Sequence, residues 1–318
     1  MELITESLVQ IAQTLLVVAL APGLTGLLRW VKARLLRRRG PPLLQVYRDL
    51  VRLLRKKVVV ADNASWLFRL VPYLVFNAVW TAAMMVPTFS TRLLFAPAAD
   101  LIALVALLSS ARFALALGAL DIGTSFGGLG ASREMMIASL AEPAMLMVVF
   151  TVSLFAGTTH LPMVAEFMAQ HPFYLQVAIW LAALAMVIVS LAETARIPVD
   201  NPATHLELTM VHEAMVLEYS GRHLALIEAA SALKLMLYLS LFCCLFVPWG
   251  IAPLTGSGWE MLAGFALWVV KLAVGVVLLA LLETCIAKMR LFRLVDLLGG
   301  GFLFGLLSVI LMFVFGSL

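Results

Sequence analysis

Residues 261–283 read MLAGFALWVVKLAVGVVLLALLE, 23 consecutive positions in which Lys271 and the closing Glu283 are the only charges. A helix of about 20 apolar residues spans the hydrocarbon layer of a bilayer, so this stretch by itself predicts a membrane-crossing helix. The rest of the chain agrees. Of 318 residues 63% are hydrophobic and 13% charged, against about 45–50% and about 25% in soluble domains. With a mean hydropathy of +1.05 the chain holds more apolar side chain than a soluble core can hide. Comparable runs at about 8–28, 68–88, 98–118, 139–157, 173–193, 227–248 and 297–317 bring the expected spans to eight. The fold class is therefore all-α: one polytopic integral membrane domain, residues 1–318, with no long polar insertion.

Charge sets the expected orientation. Twelve of the 22 Lys and Arg residues lie between Arg29 and Arg69, where the acids are Asp49 and Asp62. Nineteen fall in or beside alternate loops, at about 29–67, 119–138, 194–226 and 284–296. The positive-inside rule puts those loops in the cytoplasm of a prokaryotic inner membrane and both termini outside. Glu2 and Glu6 precede the first apolar run, where a signal peptide carries positive charge, so Leu8–Leu28 is read as a span. The basic cluster lacks the aromatic interleaving of a nucleic-acid surface, and nucleic acid is excluded as a partner.

Other chemistries are excluded as well. Cys243, Cys244 and Cys285 form no C-x-x-C pair, iron–sulfur set, zinc pattern or disulfide framework. His212-Glu213 opens like H-E-x-x-H, but position 216 is Val; His160, His171, His205 and His223 complete no ligand set. No metal site is expected in this chain. Any redox metal belongs to a partner.

Three further sets of residues stand out. In the first loop Leu43, Val46, Tyr47, Leu50, Leu53 and Leu54 recur at helical spacing, with Arg48, Arg52, Arg55 and Lys56 on the other face. Such a helix suits the headgroup plane of the lipid bilayer or the docking of a partner. The loop after residue 193 holds Glu193, Asp200, Glu207, Glu213 and Glu218 against Arg196 and Arg222. On one helix Glu207 and Glu218, eleven residues apart, point the same way. Lys271 lies too deep in its span to snorkel, and Lys234, Glu142 beside Pro143, and Glu283 also occupy spans or their ends. Ionisable groups in such places are functional candidates by default, usually on an ion path.

Several motifs together resemble a family. Arg38-Arg39-Gly40-Pro41, Leu44-Gln45 and Arg48-Asp49 are followed by Glu193-Thr194-Ala195-Arg196-Ile197-Pro198-Val199-Asp200 and Glu218-Tyr219-Ser220-Gly221. They resemble the membrane subunit shared by respiratory complex I and the energy-converting [NiFe]-hydrogenases, over nearly the whole chain. Ala111-Arg112-Phe113, Gly118-Ala119-Leu120-Asp121-Ile122-Gly123 and Gly130-Ala131-Ser132-Arg133-Glu134 look like the hydrogenase branch, in particular the membrane subunits of formate hydrogenlyases. Lys234 and Lys271 resemble lysines of that branch. The stretch Asn201–Val216, with Pro202, His205 and His212, departs from it and leaves the electron donor open.

The resemblance implies a non-catalytic subunit that tethers a soluble arm and couples its redox reaction to ion movement. Implied partners are hydrogenase large and small subunits, an iron–sulfur protein and antiporter-like membrane subunits, with nickel–iron and iron–sulfur centres in the partners and quinone undecided. The placement of the residues themselves fits this, with a charge path expected through Glu142, Glu193, Arg196, Asp200, Glu207, Glu213, Glu218, Lys234, Lys271 and Glu283. Docking is expected through Arg39, Arg48, Asp49, Arg112, Asp121, Arg133 and Glu134. The alternative is the quinone-site subunit of an NADH:quinone oxidoreductase. A free-standing secondary transporter would show internal repeats, and no convincing repeat is present. A purely structural anchor remains as the fourth reading.

Overall fold

The computed structural model describes residues 2–91, 93–171, 176–200, 210–252, 258–286, 289 and 291–316. Among them the regular structure is helical, and the only extended pairings are isolated bridges joining Ser90 to Ala252 and Asp100 to His160. In chain order the helices are α1 (Glu2–Leu35), α2 (Gln45–Arg55), α3 (Trp66–Met85), α4 (Leu101–Asp121), α5 (Ser125–Ala156) and α6 (Leu161–Gln170). Then follow α7 (Val177–Glu193), α8 (His212–Val216), α9 (Gly221–Phe246), α10 (Gly258–Cys285) and α11 (Leu291–Gly316).

Seven of these, α1, α3, α4, α5, α9, α10 and α11, are long and apolar enough to cross a membrane. The remaining expected span, 173–193, corresponds to α7, a 17-residue apolar helix whose first expected residues lie outside the described set. At 1.5 Å per residue α7 is about 26 Å long, just under the thickness of the apolar layer. Side-chain caps start three of the spans: Ser65 accepts from the Leu67 amide, Asp100 from those of Ile102 and Ala103, and Thr124 from that of Gly127.

Helix α5 is central, packing on α4, α7, α8 and α11, while α3 packs on α4 and α9, and α1 on α9 and α10. Val148, Val152, Met186, Val189, Met236 and Leu241 are fully enclosed where these helices meet. Four boundaries differ from expectation. The loop expected at 119–138 is mostly the first turns of α5, where Gly127 lets that helix approach the Ala119 carbonyl too closely for a Cβ and Gly130 brings it tightly against α8. Helix α6 fills a connection read as loop, tied down by the Thr91 hydroxyl, which donates to Glu166 (2.7 Å). Helix α1 runs on to Leu35, past the expected loop start at residue 29. The helix expected to align Glu207 with Glu218 is not formed across that interval: α8 has five residues, Glu218 lies exposed beyond it, and Glu207 is outside the described residues.

Helix α2 forms where its periodicity places it. Pro22-Gly23 lies in α1, and the missing side chain at Gly23 makes room for the Tyr47 hydroxyl, which donates to the Ala19 carbonyl at 2.5 Å. Gly26 likewise admits the backbone of Leu43. Two small residues thus seat α2 across α1.

Candidate functional site

Four helices each bring one charged side chain to a common point in the interior. Arg112 on α4 lies 3.1 Å from Glu134 on α5 and pairs closely with Glu193 at the end of α7. Lys234 on α9 closes the set, 2.7 Å from the second oxygen of Glu193. Arg112 and Glu134 are buried, and Lys234 and Glu193 largely so. Burying a lone charge costs many kcal/mol, whereas two cations against two carboxylates at contact distance offset most of that cost. Tyr238 lies beside Glu193, and Glu142 is within electrostatic range of both Arg112 and Tyr238. Glu142 lies eight residues beyond Glu134 on α5, about 12 Å further along the helix. The Arg112 nitrogens lack aligned hydrogen-bond acceptors, and a cavity of about 50 Å³ adjoins them. That is space for a few waters.

A second group lies nearer the face that carries the long basic loop. Glu283, at 4% exposure, accepts from Lys32 of α1 at 2.8 Å and sits 3.6 Å from the Arg196 guanidinium. Burial holds the Arg196 guanidinium below its ordinary value, against the pull of Glu283 and with the help of Arg29. This group opens on a cavity of about 490 Å³, rimmed by Arg29, Arg38 and Arg39. Thr194, Ala195, His212, Ile227 and Ser231 line both this cavity and the smaller one, so a single layer of residues separates them.

The turn after α7 makes that wall. Ala195 is left-handed (φ 49°), and the Arg196 amide returns to the Leu191 carbonyl at 2.9 Å, which closes the helix with Arg196 pointing away from Glu193. Asp200, 3% exposed, accepts from the amides of Val211 and His212 and so ties the motif to α8. Glu213 is half-buried on the wall of the larger cavity.

Lys271 stands apart from both groups. Its ammonium donates to the carbonyls of Val247 (2.5 Å) and Trp249, capping the end of α9, where the helix dipole favours a cation. Val247 lies 13 residues beyond Lys234, about 20 Å along the axis. Of the residues expected as one charge path, Glu193 and Lys234 fall in the first cluster, Arg196 and Glu283 in the second, and Lys271 in a separate cap.

The expected docking set divides too. Arg39 and Arg48 are exposed, and half-buried Asp49 accepts from Gln45 at 2.9 Å. Arg112 and Glu134, in contrast, belong to the buried cluster, where no partner surface reaches them. Arg133 holds the Met210 carbonyl at 2.9 Å, and Asp121 accepts from the Ser65 amide at 2.9 Å. Next to Asp121, Tyr219 stacks on Phe68 with ring centroids 4.0 Å apart; burial, and then the Asp121 charge, raise its phenol above the ordinary value. Sequence reading missed Lys32, counted only as a topological charge, as well as Tyr238 and Ala195. The signal for Arg112 was present, since it lies within an otherwise apolar run.

These features define a polytopic membrane protein with balanced charges inside its bundle and a cavity opening toward them from one face. A family model described as NADH dehydrogenase matches residues 8–315, and the chain belongs to that family. Formate hydrogenlyase subunit 4 of Escherichia coli (strain K12) is 34% identical over 298 residues, covering 94% of this chain and 96% of that protein. Hydrogenase-4 component C of the same organism is 36% identical over 242 residues, 76% of each chain. A chain in the structure of the membrane-bound sulfane sulfur reductase, an archaeal respiratory membrane complex, superposes with a TM-score of 0.81. The superposition covers 95% of this chain and 98% of that one at 19% identity, a likeness of fold.

Proposed function

We propose that this chain is the non-catalytic membrane subunit of a [NiFe]-hydrogenase complex. It anchors an arm of hydrogenase large and small subunits and iron–sulfur protein, and couples that arm's redox reaction to proton or ion translocation. The observation that carries the coupling role is the buried Arg112–Glu134–Glu193–Lys234 cluster beneath the 490 Å³ cavity. The hydrogenase assignment is supported by full-length similarity to a formate hydrogenlyase subunit.

In this reading the basic face is cytoplasmic and the membrane is the prokaryotic inner membrane. A proton entering by the cavity meets Glu283 and Arg196, crosses the wall at Thr194–Ala195, and reaches Glu193. Charge displaced there acts on Glu142 and Tyr238, deeper in the bundle, and from them on antiporter-like neighbours. Nickel–iron and iron–sulfur centres reside in the partners.

Purification of the intact complex through this chain tests the assignment. The expected preparation contains nickel and evolves or consumes hydrogen. A flavin-containing NADH dehydrogenase arm with quinone reduction refutes it. The coupling role is tested separately: Glu193→Gln should leave hydrogen evolution in detergent nearly intact while abolishing proton movement in sealed vesicles.

A further inference from the structure

Helix α2 presents three distinct faces. Advancing about 100° per residue, it first turns Val46, Leu50 and Leu53 to one side. Val46 is buried there, and α2 packs on α1 and α9. The next arc holds Leu54, Tyr47, Val51 and Leu44. Of these Leu44 is 59%, Val51 47% and Leu54 52% exposed. The third arc is basic: Arg55, Arg48, Arg52 and Lys56, all exposed. A shallow groove of about 660 Å³ follows the border between the last two arcs, along Leu44, Tyr47, Arg48, Val51, Arg52 and Arg55. Asp49, the one acid on the helix, lies 3.8 Å from Arg52 and otherwise accepts from Gln45.

The depth of the helix selects what fits this groove. Its contacts with α1 fall at Ala19, Gly23 and Gly26. Counted from Leu8 at 1.5 Å per residue, those positions lie about 17–27 Å along the span, which puts α2 in the outer half of an apolar layer about 30 Å thick, toward the basic face. At that depth the uncovered leucine–valine arc meets acyl chain, and the arginines beside it meet headgroups. A soluble protein partner fits the basic arc but not the apolar one.

We propose that this groove is a binding site for one anionic phospholipid, its phosphodiester held by Arg48, Arg52 and Arg55 and an acyl chain lying along Leu44, Val51 and Leu54. The site does not depend on which soluble arm the chain carries. A lipid there would lie beside α1 and its contact with α2, and so would brace the rim of the neighbouring cavity.

The test uses the full chain in phosphatidylcholine nanodiscs doped with spin-labelled phosphatidylglycerol or spin-labelled phosphatidylcholine. The expected result is a motion-restricted fraction at least about tenfold in favour of the anionic label, as each basic residue near a membrane surface adds to the attraction. Arg48→Gln/Arg52→Gln/Arg55→Gln should bring the two labels to parity, while the corresponding triple lysine variant keeps most of the preference. Salt on the unmodified chain gives an independent reading: from 0.1 M to 1 M the Debye length falls from about 10 Å to about 3 Å, and the preference should collapse. Equal restriction of the two labels by the unmodified chain overturns the proposal. So does a preference unchanged in the glutamine variant, or release of a soluble subunit from the parent complex by that variant with lipid selectivity intact.

Discussion

Replacing Glu193 with glutamine tests the buried cluster most directly. The substitution keeps the shape of the side chain and removes one negative charge, leaving Arg112 and Lys234 against Glu134, which is 3.1 Å from Arg112 alone. Lys234 then loses the carboxylate it holds at 2.7 Å. Removing one partner from a buried ion pair costs about 3–5 kcal/mol, most of it for the charge left behind. The Lys234 side chain is 16% exposed and a small cavity adjoins it, so water recovers part of the loss. The expected net destabilisation is about 2–4 kcal/mol. If stranded charge is the cause, adding Lys234→Met should restore stability rather than reduce it further, with an interaction energy of about 1–3 kcal/mol between the two sites. Tryptophan fluorescence of the purified chain, followed through a denaturing-detergent titration in mixed micelles, measures all three variants on one scale. Two results refute the reasoning: a Glu193→Gln curve that coincides with the parent, or a double variant that equals the sum of the singles.

Three further outcomes follow from the geometry. Lys271→Met should lower stability by about 1–3 kcal/mol, since the Val247 and Trp249 carbonyls lose their donor, yet it should disturb proton movement in vesicles less than Glu193→Gln does. Gly118→Ala should cost about 1–3 kcal/mol by overpacking, because its new methyl group meets the Tyr219 hydroxyl and Val71; in a Tyr219→Phe background most of that cost should disappear. Asp100 caps α4. Burial alone would raise its carboxyl, but the Thr159 hydroxyl, the amides of Ile102 and Ala103, and His160 together hold it below the ordinary 3.8. Its contribution is therefore fully present above about pH 4 and lost as pH falls through the lower folded value. At pH 7 Asp100→Ala should cost about 1 kcal/mol, and the gap between parent and variant should close toward pH 2 in equilibrium unfolding.

Hydropathy and its periodicity carried most of the fold, because the length and spacing of apolar runs are local properties. They recovered the spans and placed α2 from its periodicity. They failed where a helix is held by its neighbours. The start of α5 carries Ser125, Gly127, Gly128, Gly130, Ser132 and Arg133, a loop-like composition. It is helical because its glycines fit against α4 and α8 and because Glu134 has Arg112 to meet. The charged site was visible as a list but not as an arrangement. Lys271 and Lys234 look alike in sequence, each a lysine in an apolar run, yet one caps a helix end and the other balances a glutamate. What separates them is where α9 stops, and no spacing within α10 encodes that.

The arrangement also accounts for why one short motif carries so many polar residues. Glu193 and Arg196 stand three positions apart, yet the first belongs to the inner cluster and the second to the group around Glu283. A continuing α-helix would set residues three apart on the same side. The left-handed Ala195 between them turns the chain, so that the two side chains leave the same wall in different directions. An alanine in that conformation is about 1–2 kcal/mol less favourable than in a right-handed one, a cost that glycine avoids. Ala195, one of the residues of the wall between the two cavities, is thus also the residue that sets which cluster each charge joins. The Thr194–Ala195 peptide is the covalent connection between the two side chains. For a subunit that couples events at the cavity to charges inside the bundle, this turn is the narrowest mechanical link between them.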